Sequence, residues 1–277
     1  MRKVMLFDGG KGTWLMGDCR PGELPAELCL RKPEIVARMH EEYLDAGAEV
    51  ILSNTVGIDS IWMRGEEERA LRIVDKGLEL VAMAVNKRML KSGIRRRGGL
   101  LISAPSATPE QMIDPEYRKE LARCYQAQLT SPLLIPPACF VIFETITSLE
   151  KFRFLMEVIN DPQRLKTRNT FIFSFATRPD GLLFDGESVP RLNDYMESDI
   201  AVRHHVGVNC GLSVRVAEKG LFPGATYFSP SDIYGDASPE KWASEVKDAV
   251  DRHHIKMVGG CCNTTPDHIR FLNKILG

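Results

Sequence analysis

Two kinds of apolar pattern alternate along the whole chain. Short, uniformly apolar runs rich in β-branched and aromatic residues occupy Val4 to Phe7, Val50 to Leu52, Leu100 to Ile102, Phe140 to Phe143, Phe171 to Phe173, Val206 to Val208, Ala225 to Phe228 and Ile255 to Val258. Runs of that length and texture read as strands buried on both faces, as in a parallel sheet. Between them the spacing changes to threes and fours. Leu71, Val74, Leu78, Val81, Val85 and Met89 form one helical stripe. Ile35, Met39 and Tyr43 form another, with Pro33 in its first turn and Gly47 as its stop. Ser148 is placed to cap a helix carrying Phe152, Leu155 and Ile159. Ser238-Pro239 opens one carrying Trp242, Val246 and Val250, and Thr265-Pro266 opens the last, with Ile269 and Leu272 inside. The helical pattern is weakest after the fifth to seventh runs.

Eight strands alternating with helices fit either a doubly wound sheet or a (β/α)8 barrel. The segment after the first strand, Asp8-Gly9-Gly10-Lys11-Gly12, is rich in glycine but does not read G-x-G-x-x-G. The dinucleotide fingerprint of the doubly wound fold is therefore missing, and so is a phosphate loop of the G-x-x-x-x-G-K-[ST] kind. The expectation is a (β/α)8 TIM barrel. No low-complexity linker or internal repeat divides the chain, so residues 1–277 read as a single domain, a length this fold routinely uses.

Charge narrows the range of partners. Lysine and arginine total 36 against 37 acids, a formal net charge of −1. A nucleic-acid binder normally carries a basic excess, so none is expected here. Apolar residues at 44% and charged residues at 26% are ordinary globular values. No run approaches the roughly 18 apolar residues that cross a bilayer, and the apolar stretch before Asp8 is too short for a secretory leader. A cytoplasmic protein without a membrane partner is expected.

The chemistry collects at the ends of the runs. Asp8, Asn54, Ser103, Glu144-Thr145, Ser174, Asn209-Cys210, Ser229 and Cys261-Cys262 each follow an apolar stretch. In a barrel those strand ends converge on one face, the face where barrel enzymes act. Seven cysteines are too few for a disulfide scaffold, and neighbours such as Cys261 and Cys262 rarely bond to each other. Together with Cys210 they offer three thiolates at two strand ends. Three protein ligands with one open position is the catalytic zinc arrangement, whereas structural sites usually supply four. Gly259 and Gly260 are expected to let the backbone turn so that consecutive cysteines face one ion. On spacing alone, a reading as small buried hydrophobes stays equally open.

The segment Val258-Gly259-Gly260-Cys261-Cys262-Asn263-Thr264-Thr265-Pro266-Asp267-His268-Ile269 resembles the C-terminal signature of the homocysteine S-methyltransferase family. That family includes betaine– and S-methylmethionine–homocysteine methyltransferases and the homocysteine-binding domain of cobalamin-dependent methionine synthase. Further matches follow in order: Phe7-Asp8-Gly9-Gly10 with Gly12-Thr13, His40 through Asp45-Ala46-Gly47-Ala48, Ser53-Asn54-Thr55, Phe143-Glu144-Thr145, Asp185-Gly186 and Gly207-Val208-Asn209-Cys210. The resemblance spans essentially the whole chain and implies the same barrel. It also implies that Cys210, Cys261 and Cys262 bind Zn2+ and that the thiol of homocysteine takes the open position. Coordination then strips the thiol proton, leaving a nucleophile that attacks a methyl donor and forms methionine. By the same resemblance Asp8 and Glu144 receive the substrate amine. Asn54 and Thr55 lie at the mouth as candidate substrate contacts, with an Asn-led turn as the competing reading. Ser103 and the backbone N–H groups from Ser103 to Ser106 are candidates for the carboxylate.

Several strand ends depart from the family's usual text. Ser103-Ala104-Pro105-Ser106 stands for a Gly-Ser-x-Gly-Pro, Ser229-Pro230-Ser231-Asp232 for a Pro-Asn-x-Gly, Pro136-Pro137-Ala138-Cys139 for an Ala-Gly-x-Asp, and Val56 for a common Phe. Both cysteine motifs are intact, so the departures bear on the amino-acid pocket. The tryptophan that betaine enzymes carry near Pro25 to Leu30 is missing, and Thr145 follows Glu144 where they have Tyr. A quaternary ammonium donor favours an aromatic cage, so betaine is demoted. Sulfonium donors remain, as does a methylcorrinoid on a separate partner protein. Two other readings stay open: the same zinc chemistry with a different thiol acceptor, and a catalytically silent zinc or redox-responsive binding protein.

Overall fold

Parallel strands cannot be joined by hairpins; each needs a crossover long enough for a helix. The helical stripes between the apolar runs supply those crossovers. The structure is a computed structural model and describes residues 4–134, 138–160, 169–190, 203–235 and 237–277. Its strands are β1 (Met5–Leu6), β2 (Val50–Leu52), β3 (Arg97–Ser103), β4 (Ala138–Ile146), β5 (Thr170–Phe175), β6 (His204–Cys210), β7 (Tyr227–Pro230) and β8 (Met257–Val258). They pair in the order β1-β8-β7-β6-β5-β4-β3-β2, every ladder parallel. A parallel bridge between Phe7 and Val50 joins the two ends of that order. There the Glu49 N–H donates to the Leu6 carbonyl at 2.7 Å and the Asp8 N–H to the Val50 carbonyl at 3.0 Å. The result is the expected (β/α)8 barrel.

The helices are α1 (Lys11–Leu15), α2 (Leu28–Arg31), α3 (Pro33–Asp45), α4 (Ile58–Trp62), α5 (Glu67–Ser92), α6 (Pro109–Ile113), α7 (Pro115–Leu129), α8 (Leu149–Ile159), α9 (Val214–Glu218), α10 (Pro239–His253) and α11 (Pro266–Leu276). The expected punctuation is in place. Ser148 and Ser238 cap α8 and α10, accepting from the Lys151 and Lys241 N–H groups, and Gly47 beyond α3 has φ of 110°. Strand limits moved more. β3 begins at Arg97 and runs through the buried pair Gly98-Gly99, which an apolar count passes over. Ala225 and Ile255 precede their strands, because their N–H groups close turns on Phe222 and Val250. After β6 the described crossover helix is only the five residues of α9. Pro136 and Pro137 lie outside the described residues.

The core has two layers. Inside the barrel Phe7, Leu52, Leu101, Ile142, Ile172 and Tyr227 pack together, with the Phe7 ring meeting Phe140 and Tyr227 edge-on at 5.4 Å each. Outside it, strand residues such as Phe143 and Phe173 face helical ones such as Phe152 and Leu155. Each fully buried side chain of this size contributes about 1.5–3 kcal/mol. The interior is thus a packed plug, and room for chemistry exists only at the ends. Among the described residues no helix is long and apolar enough to cross a membrane.

Candidate metal centre

Two strands, β6 and β8, carry the cysteines to one point. β7 lies between β6 and β8, and the segment following it serves as an adaptor. The Ser231 N–H donates to the Cys210 carbonyl, the Cys261 N–H to the Pro230 carbonyl and the Asp232 N–H to the Cys262 carbonyl, at 3.0–3.1 Å. The segment Ser229-Pro230-Ser231-Asp232, which departs from the family text in its side chains, thus works through its backbone. Gly259 and Gly260 contribute differently from the tight turn expected of them. Neither has positive φ; the left-handed residue of the loop is Asn263, at 60°. What they provide is room. A Cβ on Gly260 would stand 2.3 Å from Thr264 Oγ1, and one on Gly259 2.8 Å from the Asp8 carbonyl. Bare backbone there lets the β8 loop press on the end of β1.

The sulfurs of Cys210, Cys261 and Cys262 all lie within 4.8 Å of one another, Cys261 buried and the others half-buried. Cys210 and Cys261 are 3.0 Å apart and Cys261 and Cys262 3.9 Å. Four sulfurs held tetrahedrally at about 2.3 Å from zinc stand about 3.8 Å apart, so Cys261–Cys262 already matches, Cys210–Cys261 needs to open by less than about 1 Å, and Cys210–Cys262 lies within 4.8 Å. The donor set fits a thiophilic divalent ion with one position left for an outside ligand. Among the described residues no other group of His, Cys, Asp or Glu converges in this way. S–H donation from Cys210 and Cys261 draws the Cys262 thiol down to about 3, while Cys210, donating to its neighbours, is pushed well up.

Two residues at this point sit in left-handed backbone, Cys210 at φ 63° and Thr145 at φ 66°. For a β-branched residue such as threonine that conformation stores on the order of 1–2 kcal/mol. Asn209, fully buried, holds both in place. Its amide donates to Thr145 Oγ1 at 3.0 Å and toward Cys210 Sγ at 3.3 Å, and its Oδ1 accepts the Thr145 N–H at 3.0 Å. Asn209 thus braces its neighbour Cys210 and ties it across to β4.

The two acids stand at the ends of β1 and β4. Asp8 is only 2% exposed; its Oδ2 accepts the Leu52 N–H at 2.9 Å and its Oδ1 pairs with Lys11 Nζ at 3.1 Å. Burial raises the Asp8 carboxyl, while Lys11 and the Leu52 N–H hold it back. Glu144 is pushed up to about 8, chiefly by burial and then by the Cys261 thiolate, with Lys11 opposing. Its side chain makes no hydrogen bond among the described residues. Lys11 was not among the expected site residues; its only signal in the sequence is its place three residues after Asp8.

The remaining candidates face inward to the scaffold. Asn54 Nδ2 donates to the Pro25 carbonyl at 2.7 Å, and Thr55 Oγ1 to the Leu101 carbonyl at 2.5 Å. Ser103 Oγ accepts the Gly57 N–H at 3.0 Å. The amides proposed for a carboxylate are largely engaged, Ala104 N–H with the Glu144 carbonyl and Ser106 N–H with Asp59. His268 caps α11 through Nδ1, stands 3.5 Å from Asp232 and packs edge-on against Trp242. It takes no part in the sulfur cluster.

Fold and site together define a (β/α)8-barrel protein with a convergent thiol triad at its C-terminal mouth. The model of the homocysteine S-methyltransferase family matches residues 5–276, and the chain belongs to that family, a family of methyltransferases. Among solved structures, the metallated form of the homocysteine methyltransferase MmuM from Escherichia coli is 18% identical, with a TM-score of 0.78 over 99% of this chain and 96% of that one. The apo form is 20% identical with a TM-score of 0.75 over the same shares, and the oxidized form gives 18% and 0.75 over 98% and 96%. At these identities the likeness carries the fold, and the site stands on its own geometry.

Proposed function

We propose that this enzyme methylates the thiol of homocysteine to give methionine, with Cys210, Cys261 and Cys262 holding one zinc ion. The carrying observation is the meeting of those three sulfurs within 4.8 Å on the barrel face where substrates enter. Zinc held there supplies the positive charge that keeps an incoming thiol deprotonated at neutral pH. The chain's own residues orient that thiol. Asn209 and the backbone of residues 230–232 fix the sulfurs, while Glu144, with no hydrogen-bond partner among the described residues, receives the ammonium beside Asp8. An ammonium within reach also draws Glu144 back to its charged form, against the burial that raises it. The acceptor sulfur's electron pair then forms the new S–CH3 bond, and the old bond's pair departs with the donor.

The donor is a sulfonium compound, S-methylmethionine or S-adenosylmethionine, or a methylcorrinoid on a separate protein. An aromatic cage for betaine finds no support: the Trp62 indole is buried and bonded to Glu120, and Arg38 covers the face of Trp14. A cavity of about 430 Å³, lined by Met112, Ile113, Thr147, Lys151, Phe184 and Asp185, lies beyond the ends of β3 and β4 and has the size to take a donor. Three free thiols at a working site suit a reducing compartment, the cytoplasm. The test is zinc-loaded protein incubated with homocysteine and, separately, S-methylmethionine, S-adenosylmethionine, betaine and methylcobalamin. Methionine is expected from at least one donor other than betaine; zinc-replete protein that yields none from any donor overturns the substrate assignment.

A further inference from the structure

Among the described residues Lys11 is the one lysine or arginine buried in the protein, 8% exposed, and it stands at the mouth. A buried ammonium is costly to desolvate and persists where a specific partner offsets the penalty. Asp8 Oδ1 at 3.1 Å and the Gly9 carbonyl at 3.4 Å are its partners. An ammonium carries three donors, so one remains without an acceptor among the described residues.

Lys11 adjoins the metal centre through the backbone. A Cβ on Gly10, its neighbour, would lie 2.4 Å from the Cys261 carbonyl, and the Gly260 N–H donates to the Asp8 carbonyl at 3.0 Å. Asp8 and Lys11 follow β1, Glu144 ends β4 and Cys261 follows β8, so all four stand on the same face of the barrel. An amino-acid thiol bound there brings an ammonium and a carboxylate. Glu144 answers the first. For the second, the amides of Gly10, Thr145 and Cys261 are already bonded, to Thr264, Asn209 and Pro230, and Lys11 is the cation at hand.

We infer that Lys11 receives the carboxylate of the acceptor thiol, and that this contact makes the site select carboxylate-bearing thiols. The inference rests on the zinc–thiol reading above and names what that reading leaves open, how the acceptor's acid end is recognised. A charge-assisted contact of this kind is worth about 10- to 100-fold in affinity.

The test uses cobalt-substituted protein, in which a thiol entering the metal's coordination changes the visible spectrum, so binding is read without turnover. Homocysteine is titrated against 3-aminopropane-1-thiol, which lacks only the carboxylate. The parent protein is expected to prefer homocysteine by about 10- to 100-fold. Lys11→Met should abolish that preference by weakening homocysteine alone, and Lys11→Arg should restore part of it. Should Lys11→Met misfold with Asp8 left unpaired, Asp8→Asn/Lys11→Met removes both charges and should likewise lose the preference. A Lys11→Met or double variant that keeps the parental preference, or that weakens both thiols equally, overturns the inference. Parent protein that binds both thiols equally well overturns it and leaves the zinc–thiol reading standing; parent protein that binds neither thiol at the metal overturns both.

Discussion

The two sides of the barrel mouth carry equally polar strand ends and use them in opposite ways. Beyond β2 and β3, the side chains of Asn54, Thr55 and Ser103 are bonded to the protein's own backbone, knitting the first crossovers together. Beyond β6 and β8 the backbone does the knitting, and three cysteine side chains remain directed at one another. On the proposed reading, position at the mouth is not enough to mark a functional residue: side chains bonded to the protein's own backbone build the rim, and the convergent sulfurs with Glu144 are left for substrate.

The sharpest way to break this contrast is Cys261→Ala. Zinc content should fall from about one per chain to a small fraction, and methyl transfer should drop by about 1,000-fold or more, read by metal analysis and methionine formation. A Cys261→Ala variant that retains both would remove the sulfur side from the chemistry. Asn209→Ala comes next. Without the amide that restrains Thr145 and Cys210, zinc affinity measured by chelator competition should weaken by about 10- to 100-fold. Glu144→Gln should raise the KM for homocysteine by about 10-fold or more with a smaller effect on kcat, since an ammonium–carboxylate contact is replaced by a neutral one.

The rim side should respond in stability instead. His40 on α3 has both ring nitrogens buried and without a partner among the described residues, and burial drives its imidazole down to about 3. Its unfolded counterpart titrates near 6.5, so the unfolded chain binds the extra proton between those values. Stability is then full above about pH 6.5 and falls as pH drops toward 3, by about 2 kcal/mol from pH 6.5 to 5. Urea midpoints at pH 7 and 5 should show that loss, and His40→Leu should reduce it. Thr55→Val should have the smallest effect of all: about 1 kcal/mol of stability, with the KM for homocysteine unchanged. A KM that moves with Thr55→Val would put substrate on the rim side and undo the comparison.

Much of this was legible in the sequence, for physical reasons. A parallel barrel buries both faces of each strand, so its eight strands appear as plain apolar runs, and topology then fixes which strand ends share a face. Cys210, Cys261 and Cys262 could be grouped on that logic before any distance was known. Asn54, Thr55 and Ser103 were placed at the mouth by the same logic, yet where a side chain points is settled by partners such as Pro25 and Leu101, which periodicity does not reveal. Gly259 and Gly260 read as a turn, whereas contacts with Thr264 and Asp8, one of them over 250 residues away in sequence, decide their role. Lys11 looks in sequence like an ordinary surface partner for an acid three residues back, and only its burial sets it apart.

The most direct test is X-ray absorption at the zinc edge on zinc-loaded protein, before and after homocysteine is added. The expectation is three protein sulfurs at about 2.3 Å beforehand, and four sulfurs in all once that of the substrate has entered. A sulfur count that does not rise with saturating homocysteine, or zinc bound mainly through nitrogen and oxygen, would contradict it.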